Sequence, residues 1–248
     1  MSAAVVASGW AAIAPMPVRA GDAPASRWLG SAGVVSDYLF RGLSQTDRRP
    51  AVQADVEFAH AGGGYVGGWG SNVSWLADAS TSTAPISSSV ELDLYAGWRG
   101  DVGGGWSWDA GVVRYQYPGS YPAGFTLPHT TEGHVALAWK GVSLKYSYAF
   151  TDLFGVAGSG HSGYLDLSWS REFAPGWSLD AHLGHQRVKR VPGASYSDWK
   201  LGVTRNFGSG WSAALGYYDT NANASVYTNA RGHYLGRATT VLSLARSF

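Results

Sequence analysis

From Trp28 onward the apolar positions recur every second residue, in stretches of about ten residues separated by turn signals, which is the period of a strand and not of a helix. Between positions 90 and 99, Val90, Leu92, Leu94, Ala96 and Trp98 alternate with Glu91, Asp93, Tyr95, Gly97 and Arg99. Leu165, Leu167 and Trp169 alternate with Tyr164, Asp166, Ser168 and Ser170 in the same way, as do Leu144, Tyr146, Tyr148 and Phe150 with Ser143, Lys145 and Ser147. The pattern predicts strands near 30–40, 50–61, 65–76, 88–99, 105–117, 131–140, 142–154, 161–173, 177–190, 195–207, 211–221 and 232–248.

The connections between these segments alternate in length. Short ones fall at 62–64, 100–104, 140–141, 174–176 and 208–210; generally longer ones fall at 41–49, 77–87, 118–130, 155–160, 191–194 and 221–231. Tight turns on one rim and long loops on the other are the plan of an antiparallel transmembrane β-barrel of outer-membrane type, here with an even count of twelve strands. Aromatic residues support this plan. Trp98, Trp106, Trp139, Phe173, Trp177, Phe207 and Trp211 flank the short turns on the apolar parity, where rings suit the headgroup boundary. Phe40, Trp75, Phe150 and Tyr217 are the candidates for the opposite girdle.

Composition narrows the choice between this plan and a soluble barrel with its faces reversed. Charged residues are 14% of the 248, well under the roughly 25% usual in soluble domains. The last segment alternates Leu242, Leu244 and Phe248 with Thr239, Ser243 and Ser247 and finishes on an aromatic side chain. An ending of that kind is expected to close the barrel and to be the part presented to a barrel-assembly machinery. Arg246 departs from the expected apolar character, and its long side chain can reach the periplasmic headgroups. No run beyond the N-terminus approaches the ~18 apolar residues of a membrane-spanning helix. Residues 1–20, with an apolar stretch from Ala3 to Ala14 and a Val18-Arg19-Ala20 cleavage pattern, read as a secretory signal peptide lacking a basic start; the barrel is then residues 21–248.

A net charge of +1 without basic clusters beyond Arg48-Arg49 and Lys189-Arg190 sets nucleic acid aside, and the absence of cysteine removes disulfides and thiol chemistry. The seven histidines are scattered. His182 and His185 fall on opposite strand faces, which disfavours a shared metal, and no Gly-x-Ser-x-Gly elbow occurs. No catalytic, metal or cofactor site is therefore assigned. If the apolar parity meets lipid, the other parity lines the lumen: Asp55, Glu57, Glu91, Asp93, Arg99, Asp109, Glu132, Lys140, Lys145, Asp166, Asp180, Asp198 and Lys200. Such charges either pair and plug the interior or line a narrow wet path that selects solutes.

The run Ser36-Asp37-Tyr38-Leu39-Phe40-Arg41-Gly42-Leu43-Ser44-Gln45-Thr46-Asp47, with 50–54 (PAVQA) and 64–73 (GYVGGWGSNV), resembles the TorF-type porin family, also catalogued as the Gcw_chp family of bacterial outer membrane proteins. The resemblance implies a secreted outer-membrane barrel with a channel role, without catalytic residues and without a defined substrate. Asp37 and Arg41, four apart, are expected on one strand face with Gly42 bending the chain into the first loop. The expected function is passive diffusion of small hydrophilic solutes through a monomeric barrel embedded in outer-membrane lipid. The alternatives are a barrel hydrolase acting on lipid or peptide, and a plugged structural or adhesive barrel.

Overall fold

A computed structural model describes residues 25–248; the leader expected at residues 1–20 lies outside them. In chain order the strands are β1 (Arg27–Val35), β2 (Leu39–Phe40), β3 (Leu43–Ser44), β4 (Ala51–Ala59), β5 (Gly64–Asn72), β6 (Val90–Gly103) and β7 (Trp106–Gln116). They continue as β8 (Thr130–Trp139), β9 (Val142–Ala149), β10 (Gly163–Ala174), β11 (Trp177–Arg187), β12 (Tyr196–Gly208), β13 (Trp211–Thr220) and β14 (Thr239–Ser247). Twelve of them form one closed barrel in which every neighbour is antiparallel, while β2 and β3 form a separate two-stranded ribbon. The expected fold class, a single twelve-stranded antiparallel barrel of outer-membrane type, is the observed one.

Closure is made by the two ends of the chain. β1 pairs with β14 from Ser31↔Ser247 to Val35↔Ser243, and beyond the ladder Gly30 and Phe248 exchange N–H···O bonds of 3.0 and 2.9 Å. The Phe248 ring lies over Gly30, where a Cβ would come within 2.5 Å of it. Among the described residues the twelve-stranded wall has no open edge, which is the condition for strands to sit in hydrocarbon, where an unpaired backbone group costs several kcal/mol.

The sidedness of the wall is the inverse of a soluble core. Leu92, Leu94, Leu165 and Leu167 are exposed on the outer face, with Val135, Leu137, Leu183, Leu201, Leu215, Leu242 and Leu244 around the same belt. Glu91, Asp93, Asp109, Glu132, Asp166 and Asp198 are buried inside. An apolar belt this continuous is unstable in water and is matched by lipid tails. Trp28, Trp98, Trp106, Trp139, Phe173, Trp177, Phe207, Trp211 and Phe248 form the exposed girdle at the short-turn rim. Basic side chains sit on it: Arg205 lies over Trp177, Arg246 over Trp211 and Lys140 over Trp139.

Three expectations are corrected here. The first strand ends at Val35 and not near residue 40, because the chain turns inward after it. The last begins at Thr239 and not near 232, since the preceding stretch belongs to a loop with one isolated bridge, Thr228↔Tyr234. Phe40 and Trp75 do not join an outer girdle. Phe40 packs edge-on against Tyr115 and Phe154, and Trp75 against Tyr117, inside the mouth. Phe150 and Tyr217 are outward-facing and exposed at the long-loop end, as expected.

Candidate functional site: a hairpin in the lumen

The segment between β1 and β4 does not stand above the barrel; it folds into the barrel. Leu39 pairs with Ser44 and Phe40 with Leu43, leaving Arg41 and Gly42 as a two-residue turn with φ of 50° and 78°. Positive φ at both central residues is the geometry of a type I′ turn, for which Asn-Gly is the preferred pair. The base of the ribbon is tied by Asp37, which accepts from Ser44 Oγ at 2.7 Å and Thr46 Oγ1 at 3.0 Å, and by the Gln45 N–H donating to the Tyr38 carbonyl at 2.7 Å. Burial pushes the Asp37 carboxyl above its ordinary pKa, against the two hydroxyl donors that pull it down. The dense polar signature at 36–47 thus encodes a hairpin. Asp37 and Arg41 are not neighbours on one strand face: one anchors the base, and the other sits at the tip.

The tip reaches the opposite wall. Gly42 lies so close to Thr220 and Asp198 that a Cβ would approach them to 2.5 and 2.7 Å. Arg41 donates from Nη1 to Glu132 Oε1 (3.1 Å) and Gln186 Oε1 (2.6 Å), and from Nη2 to Glu132 Oε2 (2.5 Å). Its guanidinium also lies over the rings of Phe40 and Tyr164, 4.7 and 4.4 Å from their centroids. The Arg41 and Glu132 side chains are 6% and 3% exposed, so the pair is shielded from solvent. Around it Tyr38, Leu39, Trp69, Val73, Leu76, Tyr115 and Tyr117 make an apolar core within the outer part of the barrel. The long loops lock above: Arg49 and Arg231 both pair with Asp78, and His233 pairs with Asp47.

Below the hairpin the wall is polar down to the short turns. Asp55 accepts from the Tyr95 hydroxyl at 2.7 Å; Asp109 accepts from the Tyr65 hydroxyl at 2.8 Å and lies 2.6 Å from His134 Nε2. Glu57 pairs with Arg99, whose guanidinium also lies over the Tyr65 ring. Asp180 accepts from Ser170 and Thr204 at 2.7 and 2.6 Å. Lys145 stands opposite Asp166 in the ladder, and Lys200 lies near the Tyr218 ring beside a recess shared with Asp180 and Ser243. Of the residues expected to line the lumen, these and the buried Glu91, Asp93 and Asp198 do point inward. Lys140 does not. It occupies the β8–β9 turn with a φ of 47°, exposed, its ammonium 4.5 Å from the Trp139 ring centroid on the headgroup side. Parity carried past the end of a strand misplaced it.

The barrel also gathers a cluster that spacing alone did not reveal. His182 lies between two carboxylates, with Nδ1 3.2 Å from Asp166 and Nε2 2.9 Å from Asp198, while Ser168 donates to Asp166 at 2.7 Å and is 3.3 Å from His182 Nδ1. Serine, histidine and aspartate are together, but both imidazole nitrogens face acids. With both ring nitrogens engaged by carboxylates, the ring offers no free nitrogen to take a proton from the Ser168 hydroxyl, which itself donates to Asp166. The cluster ties β10, β11 and β12 together by side-chain contacts. Register explains why it was missed: Ser168 stands opposite His182 only once β10 and β11 are paired.

Counting the wall below the rims, nine carboxylates (Asp55, Glu57, Glu91, Asp93, Asp109, Glu132, Asp166, Asp180, Asp198) face three basic side chains (Arg99, Lys145, Lys200) and two histidines (His134, His182). Arg41 is the cation that the hairpin adds. Carboxylates outnumber bases on this wall, and a loop brings in one more cation.

Solved barrels share this architecture. The chain aligns with the KdgM porin over 90% of its own length and 98% of the porin's, with a TM-score of 0.52 and 7% identity. Its match to the COG4313 outer membrane channel from Pseudomonas putida F1 covers 94% and 100% (TM-score 0.51, 13% identity), and that to the NanC porin 90% and 99% (TM-score 0.52, 8% identity). These neighbours are channels rather than enzymes, and at such identities the likeness is one of fold. Among proteins of curated function none matches the chain. The model of a family described as "Bacterial protein of unknown function (Gcw_chp)" matches residues 20–248, so the chain belongs to the Gcw_chp family.

Proposed function

We propose that this protein is a bacterial outer-membrane channel through which small hydrophilic solutes diffuse passively, without a cofactor and without an enzymatic step. The observation that carries this reading is the lumen itself. Ionisable side chains continue from Glu132 and Asp198 near the long loops to Glu57 and Arg99 near the short turns, inside a wall whose outer face carries an apolar belt. Desolvating so many charges stabilises a barrel poorly compared with an apolar filling. We read them as kept for a path of polar solutes that is closed at its outer end in this structure, where Arg41 and Glu132 are shielded from solvent. Fold likeness to solved porins and channels supports the same reading, and an outer-membrane location follows from it; lipid around the belt and small polar solutes inside are the partners proposed. The last strand is proposed to meet the assembly machinery, with the single chain as the working unit.

The hairpin favours one other reading, a plugged structural or adhesive barrel, because its tip spans the outer lumen. Planar-bilayer recording separates the two. Wild-type protein is expected to give small, infrequent conductance steps, and a variant with residues 39–44 replaced by a short Gly-Ser link is expected to give larger and longer ones. A barrel that stays silent in both forms is a plug and not a channel.

A further inference from the structure

The groups that grip Arg41 make a complete cation receptor, and the receptor belongs mainly to the wall. Glu132 offers both oxygens to the two terminal nitrogens, the paired geometry that suits a guanidinium fork. Gln186 offers its carbonyl oxygen because its amide nitrogen is already committed to the Gly163 and Arg187 carbonyls at 3.1 and 3.2 Å. Tyr164 presents its ring face, held there by a hydroxyl bond of 2.9 Å to Asp198. Carboxylate, carbonyl and aromatic face come from β8, β11 and β10; Gln186 and Tyr164 are fixed by those bonds, and the Tyr115 hydroxyl approaches Glu132 Oε2 at 3.4 Å. Such an arrangement is organised before any ligand arrives.

The occupant is set against the preference of its own backbone. Arg41 holds a left-handed φ of 50° in a turn where asparagine or glycine costs less. The side chain, and not the turn, accounts for arginine at this position. Without it, Glu132 would be left buried in a wall already rich in carboxylates, a situation that calls for another cation.

We propose that this luminal cage recognises the guanidinium or primary ammonium group of small solutes, and that Arg41 is its built-in occupant, which such a solute displaces as it passes. This deepens the channel reading and rests on it. The tethered arginine is present at a high effective concentration, so free cations compete weakly while it is docked. Its removal uncovers the site.

The test uses the full chain, refolded and checked for folded barrel by its heat-dependent migration in gels, with Arg41→Ala, Arg41→Gln and Arg41→Lys, alone and combined with Glu132→Gln. In bilayers Arg41→Ala is expected to raise the open probability about tenfold over wild type, and Arg41→Lys to restore closure. Millimolar guanidinium chloride is expected to block the Arg41→Ala current, against a sodium chloride control of equal strength. Adding Glu132→Gln is expected to weaken that block at least tenfold, read as the ratio of currents with and without guanidinium in the same variant. A block indifferent to Glu132, or none, overturns the proposal; Lys145 turning to neutralise Glu132 would give the latter result. If every form is silent, the channel reading falls. Calorimetric titration of guanidinium into the micelle-bound Arg41→Ala and Arg41→Gln proteins then still decides the cage: binding lost with Glu132→Gln supports it, and no binding refutes it.

Discussion

Asp37 shows how a single buried side chain sets the path of a whole loop. Its carboxyl accepts from Ser44 and Thr46 and is 3% exposed, so it holds both legs of the hairpin at the point where the chain leaves β1. Replacing it by alanine leaves two hydroxyls without their acceptor, and each unsatisfied buried group costs about 1–3 kcal/mol. Asp37→Ala is therefore expected to loosen the hairpin while the barrel stays closed. The measurement is limited proteolysis: cleavage within 36–49 should accelerate at least tenfold, with the heat-dependent gel shift unchanged. Gly30 makes the complementary case at the seam. Gly30→Ala would put a Cβ where the exposed Phe248 ring now lies, so the ring must swing off the seam and loses its contact there. A lowered temperature of barrel unfolding on gels is the expected outcome.

At the scale of elements, the strands were readable because each carries lipid on one side and the interior on the other, and this contrast imposes a strict period of two. β6 follows it from Val90 to Trp98 and β10 from Leu165 to Trp169, with Glu91, Asp93 and Asp166 inside and Leu92, Leu94, Leu165 and Leu167 outside. The hairpin was not readable by the same means. Tyr38 and Phe40 continue the alternation of β1, but they meet the aromatic core of the barrel mouth instead of lipid, and periodicity does not distinguish two apolar surroundings. Trp75 failed for the same reason. Lys140 failed for another: a turn residue with positive φ no longer obeys the parity of the strand before it. The Ser168, His182 and Asp198 grouping depends on the register of three strands, which no local pattern contains.

For the molecule as a whole, the two faces of the wall predict opposite responses to charge. Leu167→Arg, near the middle of an outward strand face, is expected to destabilise the barrel by about 2–4 kcal/mol, checked by urea titration of protein folded into phospholipid vesicles. Inside, the excess of wall carboxylates predicts preference for cations. In a potassium chloride gradient across a bilayer, the reversal potential should take the sign of potassium permeation. A chloride-selective channel would contradict the acidic lumen described above.

The left-handed backbone at position 41 separates two properties that mutagenesis usually confounds. Asparagine is at ease in that conformation, so Arg41→Asn should make the ribbon fold more readily while cutting its grip on the far wall. The same molecule would then carry a sturdier bolt and an empty keeper, and the bolt would swing.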